Sequence, residues 1–131
     1  MSTVKADTIV GSDGTSPVTL TKQVAPKAWL NYKHTSTVSV RDSFNISSVT
    51  DSATGYGTAN FSTSFGYDDY APIIMGDGDS SSHHTTACTR ATTGDANVTF
   101  TTSAHAYYMH NIGGSTIDAI YVTAQYIGDL A

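Results

Sequence analysis

The sequence contains no glutamate and carries little charge of any kind, which limits both its fold and its partners. All 11 acidic residues are aspartates, and 13% of the 131 residues are charged, about half the usual fraction. Glu, Lys and Arg favour helices, so their scarcity disfavours a helical fold. The six cations form no clustered basic face of the kind that phosphate binding requires. Together with a net charge of −5, this excludes nucleic acid as an expected partner.

The sequence also lacks cysteine pairs and long apolar runs. Cys88 is the only cysteine, so an internal disulfide and a cysteine-based zinc site are excluded. No apolar run approaches the length needed to cross a membrane, and residues 1–10 lack the apolar stretch of a signal peptide. The sequence therefore predicts a protein that is made in the cytosol and does not insert into a membrane.

Serine and threonine are abundant and make up more than a quarter of the chain. Threonine, valine, isoleucine and tyrosine suit strands, so the composition favours an all-β protein. Leu, Ile, Val and Phe together account for less than a fifth of the residues. A chain with such a small core often completes its burial against partner subunits, which predicts a homo-oligomer.

Residues 1–26 differ from the rest of the chain. Apolar–polar alternation in 6–10 and 18–21 flanks the turn-rich stretch 11–17. This pattern predicts an extended N-terminal arm with short strands, used for attachment and oligomerisation. The alternative is that these residues form the first hairpin of a single domain. The expected anchoring side chains of the arm are Ile9, Val18 and Leu20.

From residue 27 onward, segments with a hydrophobic period of two recur about every 8–12 residues, which is typical of a β-sandwich. The sequence therefore predicts an antiparallel, jelly-roll-like β-sandwich over 27–131. Residues 44–46 continue an alternation that is interrupted after Ile46, which predicts a β-bulge there. Ile73 to Met75 are expected to form a short buried run. Residues 116–127 are apolar on both faces, which predicts a central strand or one at a subunit interface.

Four blocks of the sequence form a recognisable set, namely 5–9 with 13–23, 27–32, 41–51 followed by Gly55 and 60–62, and 126–129. These blocks resemble a family of small structural proteins from tailed phages, common in marine and cyanobacterial phages. The resemblance implies a virion structural role, usually described as that of a tail-fibre-like protein, and assembly as a trimer. It covers roughly the first half of the chain and its end, and residues 70–102 match nothing in it.

The longest polar stretch, residues 76–84, is the best candidate for an exposed recognition loop. Adjacent histidines on a strand point to opposite faces and rarely bind one metal ion. An Asp-Gly-Asp start resembles a calcium loop, but the closing glutamate is absent. We therefore predict no metal and no cofactor. The candidate recognition residues are Asp77, Asp79, Ser80, His83 and His84.

The sequence carries no signature of an enzyme. It has no Gly-x-Ser-x-Gly nucleophile motif, and the neighbouring carboxylates of Asp68 and Asp69 would diverge on a strand. The aromatic side chains are expected to be structural or interface anchors, namely Trp29, Phe44, Phe61, Tyr121 and Tyr126. A second group of aromatic residues could form a sugar-stacking surface, but core or subunit packing is favoured for them. They are Tyr67, Tyr70, Tyr107, Tyr108 and His110.

These inferences lead to one main functional expectation and two alternatives. The main expectation is a non-enzymatic, homotrimeric tail-fibre or appendage protein, which binds other virion proteins and whose exposed loop would suit contact with a host-surface glycan. The first alternative is a capsid decoration protein on the head of the particle. The second is a cytosolic lectin-like binding module with no role in the virion.

Overall fold

In the computed structural model of this protein, the regular secondary structure consists of β-strands, which confirms the all-β prediction. The described residues are 10, 12–14, 25–77, 86–88, 100–111 and 113–131. Within them lie eight strands and no helix: β1 (Ala28–Lys33), β2 (Ser39–Phe44), β3 (Ile46–Ala53), β4 (Tyr56–Phe61), β5 (Ala71–Asp77), β6 (Thr86–Cys88), β7 (Ala104–His110) and β8 (Tyr121–Ile127).

The strands form two four-stranded sheets that face each other. The first sheet has the order β2-β1-β8-β5 and the second has the order β3-β4-β7-β6, and all neighbouring strands are antiparallel. Side chains meet between the sheets: the Tyr107 hydroxyl of β7 donates to the Tyr32 hydroxyl of β1 at 2.5 Å. The rings of Phe61 and Tyr126 also meet there edge to face, 4.9 Å apart. The β-sandwich prediction is confirmed, and its jelly-roll form stays a prediction.

Strand alternation selects the side chains that fill the core. In β1 every second residue is buried, and β8 and β4 show the same period. Aromatic rings fill most of the space: Tyr32, Tyr107 and Tyr126 are fully buried. This core of tyrosines explains how a chain poor in leucine can still form a packed sandwich, since each ring buries a large apolar area.

The chain changes sheet at Asn45, between β2 and β3. Asn45 has a positive φ of 57°, which turns the backbone so that β2 ends in the first sheet and β3 begins in the second. The expectation that alternation continues through residues 44–46 is wrong, because Phe44 and Ile46 belong to different sheets. The expected β-bulge is confirmed by the register shift between Ile46 and Ser48.

One apolar segment differs from expectation, and a second matches it except for where its strand begins. Ile73 to Met75 do not form a buried run: Ile74 is buried, while Ile73 and Met75 are 53% and 68% exposed. Because β5 is an edge strand with solvent on its outer side, alternation sends its two flanking residues outward. The central strand expected in 116–127 is confirmed by β8, which lies between β1 and β5, although the strand begins at Tyr121.

Candidate functional site

The side of the first sheet that faces away from the core is the most distinctive surface of the described chain. We call it the outer face. Its residues alternate along each strand with the buried ones, and residues that pair across neighbouring strands lie on the same face. They are Trp29, Asn31 and Lys33 from β1, Asp42 and Phe44 from β2, Tyr121, Thr123 and Gln125 from β8, and Ile73, Met75 and Asp77 from β5.

Four large apolar side chains on the outer face are more than half exposed. The exposed fractions are 53% for Phe44, 53% for Ile73, 68% for Met75 and 54% for Tyr121. At about 100 Å² each, they expose about 400 Å² of apolar surface in total, which is within the range of the largest apolar patch on a typical monomer, and such patches are often functional.

Two of these side chains, Phe44 and Ile73, lie at opposite ends of a row that crosses all four strands. Phe44 on β2 pairs with Trp29 on β1, and Trp29 pairs with Gln125 on β8. Gln125 in turn pairs with Ile73 on β5. Trp29 itself is partly buried. The row has an exposed apolar side chain at each edge strand and no charged residue, and we call it the apolar row.

The other end of the outer face is polar and is organised by Arg41. The register shift between Asn31 and Tyr32 leaves Arg41 without a paired residue on β1. Its guanidinium lies 4.3 Å from the centre of the Tyr121 ring and donates to the backbone oxygen of Ile120 at 2.9 Å and to Asn31 Oδ1 at 3.4 Å. The cation–π contact and the backbone bond hold the guanidinium flat on the sheet.

The charges on the outer face balance one another. Lys33 and Arg41 supply two cations, and Asp42 and Asp77 supply two carboxylates. The whole chain has a net charge of −5, so the outer face is electrically neutral on a protein that is negative elsewhere. This surface therefore attracts neither a strongly basic nor a strongly acidic partner.

A second polar cluster lies between the two sheets. The Tyr107 hydroxyl donates to the Tyr32 hydroxyl, which lies 3.4 Å from His34 Nδ1. His34 Nε2 lies 3.3 Å from Asp51 Oδ1, an ion-pair distance without the alignment of a hydrogen bond. Burial raises the pKa of both tyrosines above the usual range, so both hydroxyls stay protonated donors.

This buried cluster resembles a catalytic relay in its residue types but not in its access. Tyr32, His34 and Tyr107 are all 0% exposed, and only Asp51 reaches the surface. A substrate cannot approach the hydroxyl end of the chain of contacts. The hydrogen bond between Tyr107 and Tyr32 instead pairs two hydroxyls that the sandwich encloses, which would otherwise destabilise the fold.

The structure separates the five predicted anchor residues into two groups. Trp29, Phe44 and Tyr121 lie on the outer face, while Phe61 and Tyr126 are buried in the core. Of the predicted recognition loop, Asp77 lies at the end of β5, exposed on the outer face. The remaining predicted loop and arm residues lie outside the described part of the chain, namely Ile9, Val18, Leu20, Asp79, Ser80, His83 and His84.

The aromatic residues considered for sugar stacking do not form one surface. Tyr70 and Tyr107 are buried in the core, which confirms the packing interpretation for these two. Tyr67 is 72% exposed. Tyr108 and His110 stack with ring centres 5.5 Å apart on the outward side of the second sheet. Exposed Tyr67 and the half-buried pair of Tyr108 and His110 lie on separate parts of the chain.

Sequence reasoning missed Ile73, Met75 and Arg41 as members of the outer face. The signal for the first two was present: three consecutive apolar residues in a strand must place the middle one opposite its neighbours. Arg41 carries no such signal, since its position depends on the bulge between β1 and β2.

Within the described residues, no three side chains of metal-binding type come together. No helix in that part of the chain is long and apolar enough to cross a membrane. No protein-family model matches the chain, and neither the curated proteins nor the solved structures provided a match.

Proposed function

We propose that this chain is a structural subunit of a tailed-phage virion, a trimeric tail-fibre or appendage protein that attaches to the particle. The observation that carries the proposal is the exposed apolar outer face of the first sheet. Exposed apolar surface of several hundred Å² on one face of a soluble protein is often a binding surface for another protein. The resemblance of residues 41–51 to phage structural proteins indicates the kind of assembly to which this surface belongs.

The chemistry of the described residues favours an assembly role over catalysis. The polar groups that could move a proton, Tyr32, His34 and Tyr107, are enclosed between the sheets. What the molecule offers to solvent on its outer face is instead a neutral surface with an apolar row. Such a surface suits packing, which depends on area and shape rather than on reactive groups. Contact with a host-surface glycan is a prediction that rests on Asp77 and on residues outside the described range, namely Asp79, Ser80, His83 and His84.

The test of this proposal is the number of copies in a purified particle. Quantitative mass spectrometry would compare peptides of this chain with those of the major capsid protein in the same preparation. A few to a few tens of copies, in a multiple of three, are expected for a trimeric appendage. Hundreds of copies would instead favour capsid decoration, and absence from purified particles would contradict a virion role.

A further inference from the structure

We propose that copies of this chain pack against one another through the outer face of the first sheet, related by a rotation axis that runs parallel to its strands. This inference deepens the proposed function and rests on it for the identity of the assembly. The size and charge of the outer face indicate the partner, and the distribution of its residues along the strands indicates the orientation.

The size of the outer face fits a second copy of the chain. Each partner in a stable protein interface contributes about 800 Å², of which somewhat more than half is apolar. The patch formed by Phe44, Ile73, Met75 and Tyr121 supplies about 400 Å² of apolar surface. The polar residues on the same face, including Gln125 and Thr123 between the two edge strands, supply the remainder.

The charge on the outer face also favours a second copy. Two copies that each carry a net charge of −5 repel each other wherever their aspartates meet. On the outer face Lys33 and Arg41 balance Asp42 and Asp77, so two such faces meet without net repulsion. Each also presents both a donor and an acceptor to the other, which suits contact between identical surfaces.

The direction of the axis follows from the separation of uncharged and charged rows along the strands. Phe44, Trp29 and Ile73 belong to an uncharged row towards one end of the sheet. Lys33 and Asp77 lie towards the other end, where Tyr121 pairs with Asp77 and lies under the Arg41 guanidinium. A rotation axis parallel to the strands keeps every residue at its height, so apolar rows meet apolar rows. With the two faces fully overlapped, an axis running across the strands would instead place the apolar row opposite Lys33 and Asp77. Aligned strands are also a preferred arrangement for packed sheets.

This orientation brings opposite edges of the first sheet together. Phe44 lies on edge strand β2 and Ile73 lies on edge strand β5, at the same height. A rotation parallel to the strands, two-fold or three-fold, places the β2 side of one copy next to the β5 side of its neighbour. Phe44 of one copy therefore contacts Ile73 of the next copy, rather than another Phe44.

A cross-linking experiment tests this contact. Single-cysteine variants F44C and I73C would be made in a full chain carrying C88S, and then mixed by joint refolding. Within one copy the two positions are three strand spacings apart, about 14 Å, and no single variant can cross-link to itself internally. With a bismaleimide shorter than that spacing, we expect covalent pairs to form several-fold more in the mixture than in either variant alone.

A matched control uses Tyr67, which is 72% exposed but does not lie on the outer face. A mixture of Y67C and I73C should give few covalent pairs. Light scattering provides an independent reading: I73D should be a folded monomer, while Y67D should keep the mass of the unmodified oligomer. Equal cross-linking of F44C alone and in the mixture, or an unmodified chain that is monomeric at micromolar concentration, would overturn the proposed interface.

The results separate this inference from the proposed function. If Phe44 and Ile73 cross-link but the chain is absent from particles, the interface stands and the virion role fails. If the chain is present in particles and the mixture does not cross-link, the interface fails and the virion role stands. If the molecular mass is that of two chains and the expected cross-link forms, the proposed axis direction is supported and the oligomer is a dimer, not a trimer.

Discussion

Individual tyrosines carry much of the packing in this sandwich, and each brings a hydroxyl that needs a partner. Tyr107 donates to Tyr32, and Tyr70 donates to the backbone oxygen of Ala104 at 3.0 Å. Burial raises the pKa of all three above the usual range, so they remain neutral. The sequence predicted that aromatic residues anchor the fold. It could not predict which hydroxyls would pair, since those contacts join strands far apart in the chain.

His105 occupies an unusual position among these rings. It is fully buried, and neither ring nitrogen has a hydrogen-bond partner among the described residues. Its ring contacts Phe100 and Tyr126, with centres 4.6 Å and 5.6 Å away. Desolvation lowers the pKa of His105 to about 4, because the apolar surroundings disfavour the charged imidazolium. His105 therefore acts as a neutral aromatic ring in the folded protein.

Replacing His105 with Phe should reduce the loss of stability in acid. The folded-state pKa of His105 lies below the unfolded value of about 6.5, so its contribution is complete above about pH 6.5 and is lost as the pH falls towards 4. Between about pH 7 and about pH 4.5, the unmodified protein should lose about 2 kcal/mol more free energy of unfolding than His105→Phe. Urea unfolding at the two pH values measures this difference.

The control for this experiment is His110→Gln, which removes a histidine that is only partly buried. This variant should keep the His105 contribution and therefore the larger loss in acid. If His105→Phe instead loses as much stability as the unmodified protein over the same pH range, His105 is not held neutral by burial.

The strands themselves were largely predictable, but the point where the chain changes sheet was not. Recurring hydrophobic alternation from residue 27 onward predicted the sandwich, because strands such as β1 and β8 bury every second residue. The crossing at Asn45 depends on one residue with positive φ, and such a single backbone conformation leaves no trace in the hydrophobic pattern. Ile73 shows a related limit, since its exposure depends on the outer face of the first sheet being open to solvent, which strand alternation alone does not reveal.

Asn45 should be important for joining the two sheets. Its Nδ2 donates to the backbone oxygens of Lys27 and Thr63 at 3.2 and 3.1 Å, and its Oδ1 accepts from the backbone nitrogen of Thr63 at 2.7 Å. Asn45→Ala loses these bonds and also strains the backbone, so we expect it to lower the free energy of unfolding by about 3 kcal/mol. Asn45→Gly loses the bonds without the strain and should cost about 1 kcal/mol less than the alanine variant. Urea unfolding would compare the two.

Ser36 also has a positive φ, of 62°, so a variant there measures how a positive φ affects the free energy of unfolding. Ser36→Gly relieves that conformation and should leave stability unchanged or slightly higher. If Asn45→Ala and Asn45→Gly are equally destabilised, the backbone conformation contributes nothing and the side-chain bonds account for the whole effect.

At the scale of the whole molecule, the first sheet has one face in the core and one face towards solvent that carries several exposed apolar side chains. The sequence predicted burial against partner subunits from the small core, and it predicted Trp29, Phe44 and Tyr121 as anchors. It could not show that they share a face with Ile73 and Met75, because the sheet order that brings β2, β1, β8 and β5 together is set by long-range pairing.

Trp29 is the only tryptophan of the chain and lies in the apolar row of the outer face, so its fluorescence should report assembly directly. In the proposed oligomer the neighbouring copy covers Trp29. Dilution that separates the copies should therefore shift its emission to longer wavelength and increase quenching by acrylamide. The far-UV circular dichroism should stay constant, because the sandwich of each copy remains folded.

Variants on and off the outer face provide controls for the fluorescence measurement. I73D should show the long-wavelength emission at every concentration, since Ile73 lies in the same row as Trp29 and a buried carboxylate there opposes assembly. Y67D should follow the unmodified protein through its dilution curve. Constant Trp29 emission over the concentration range in which the molecular mass falls would mean that the copies meet through another surface, even if the protein is an oligomer.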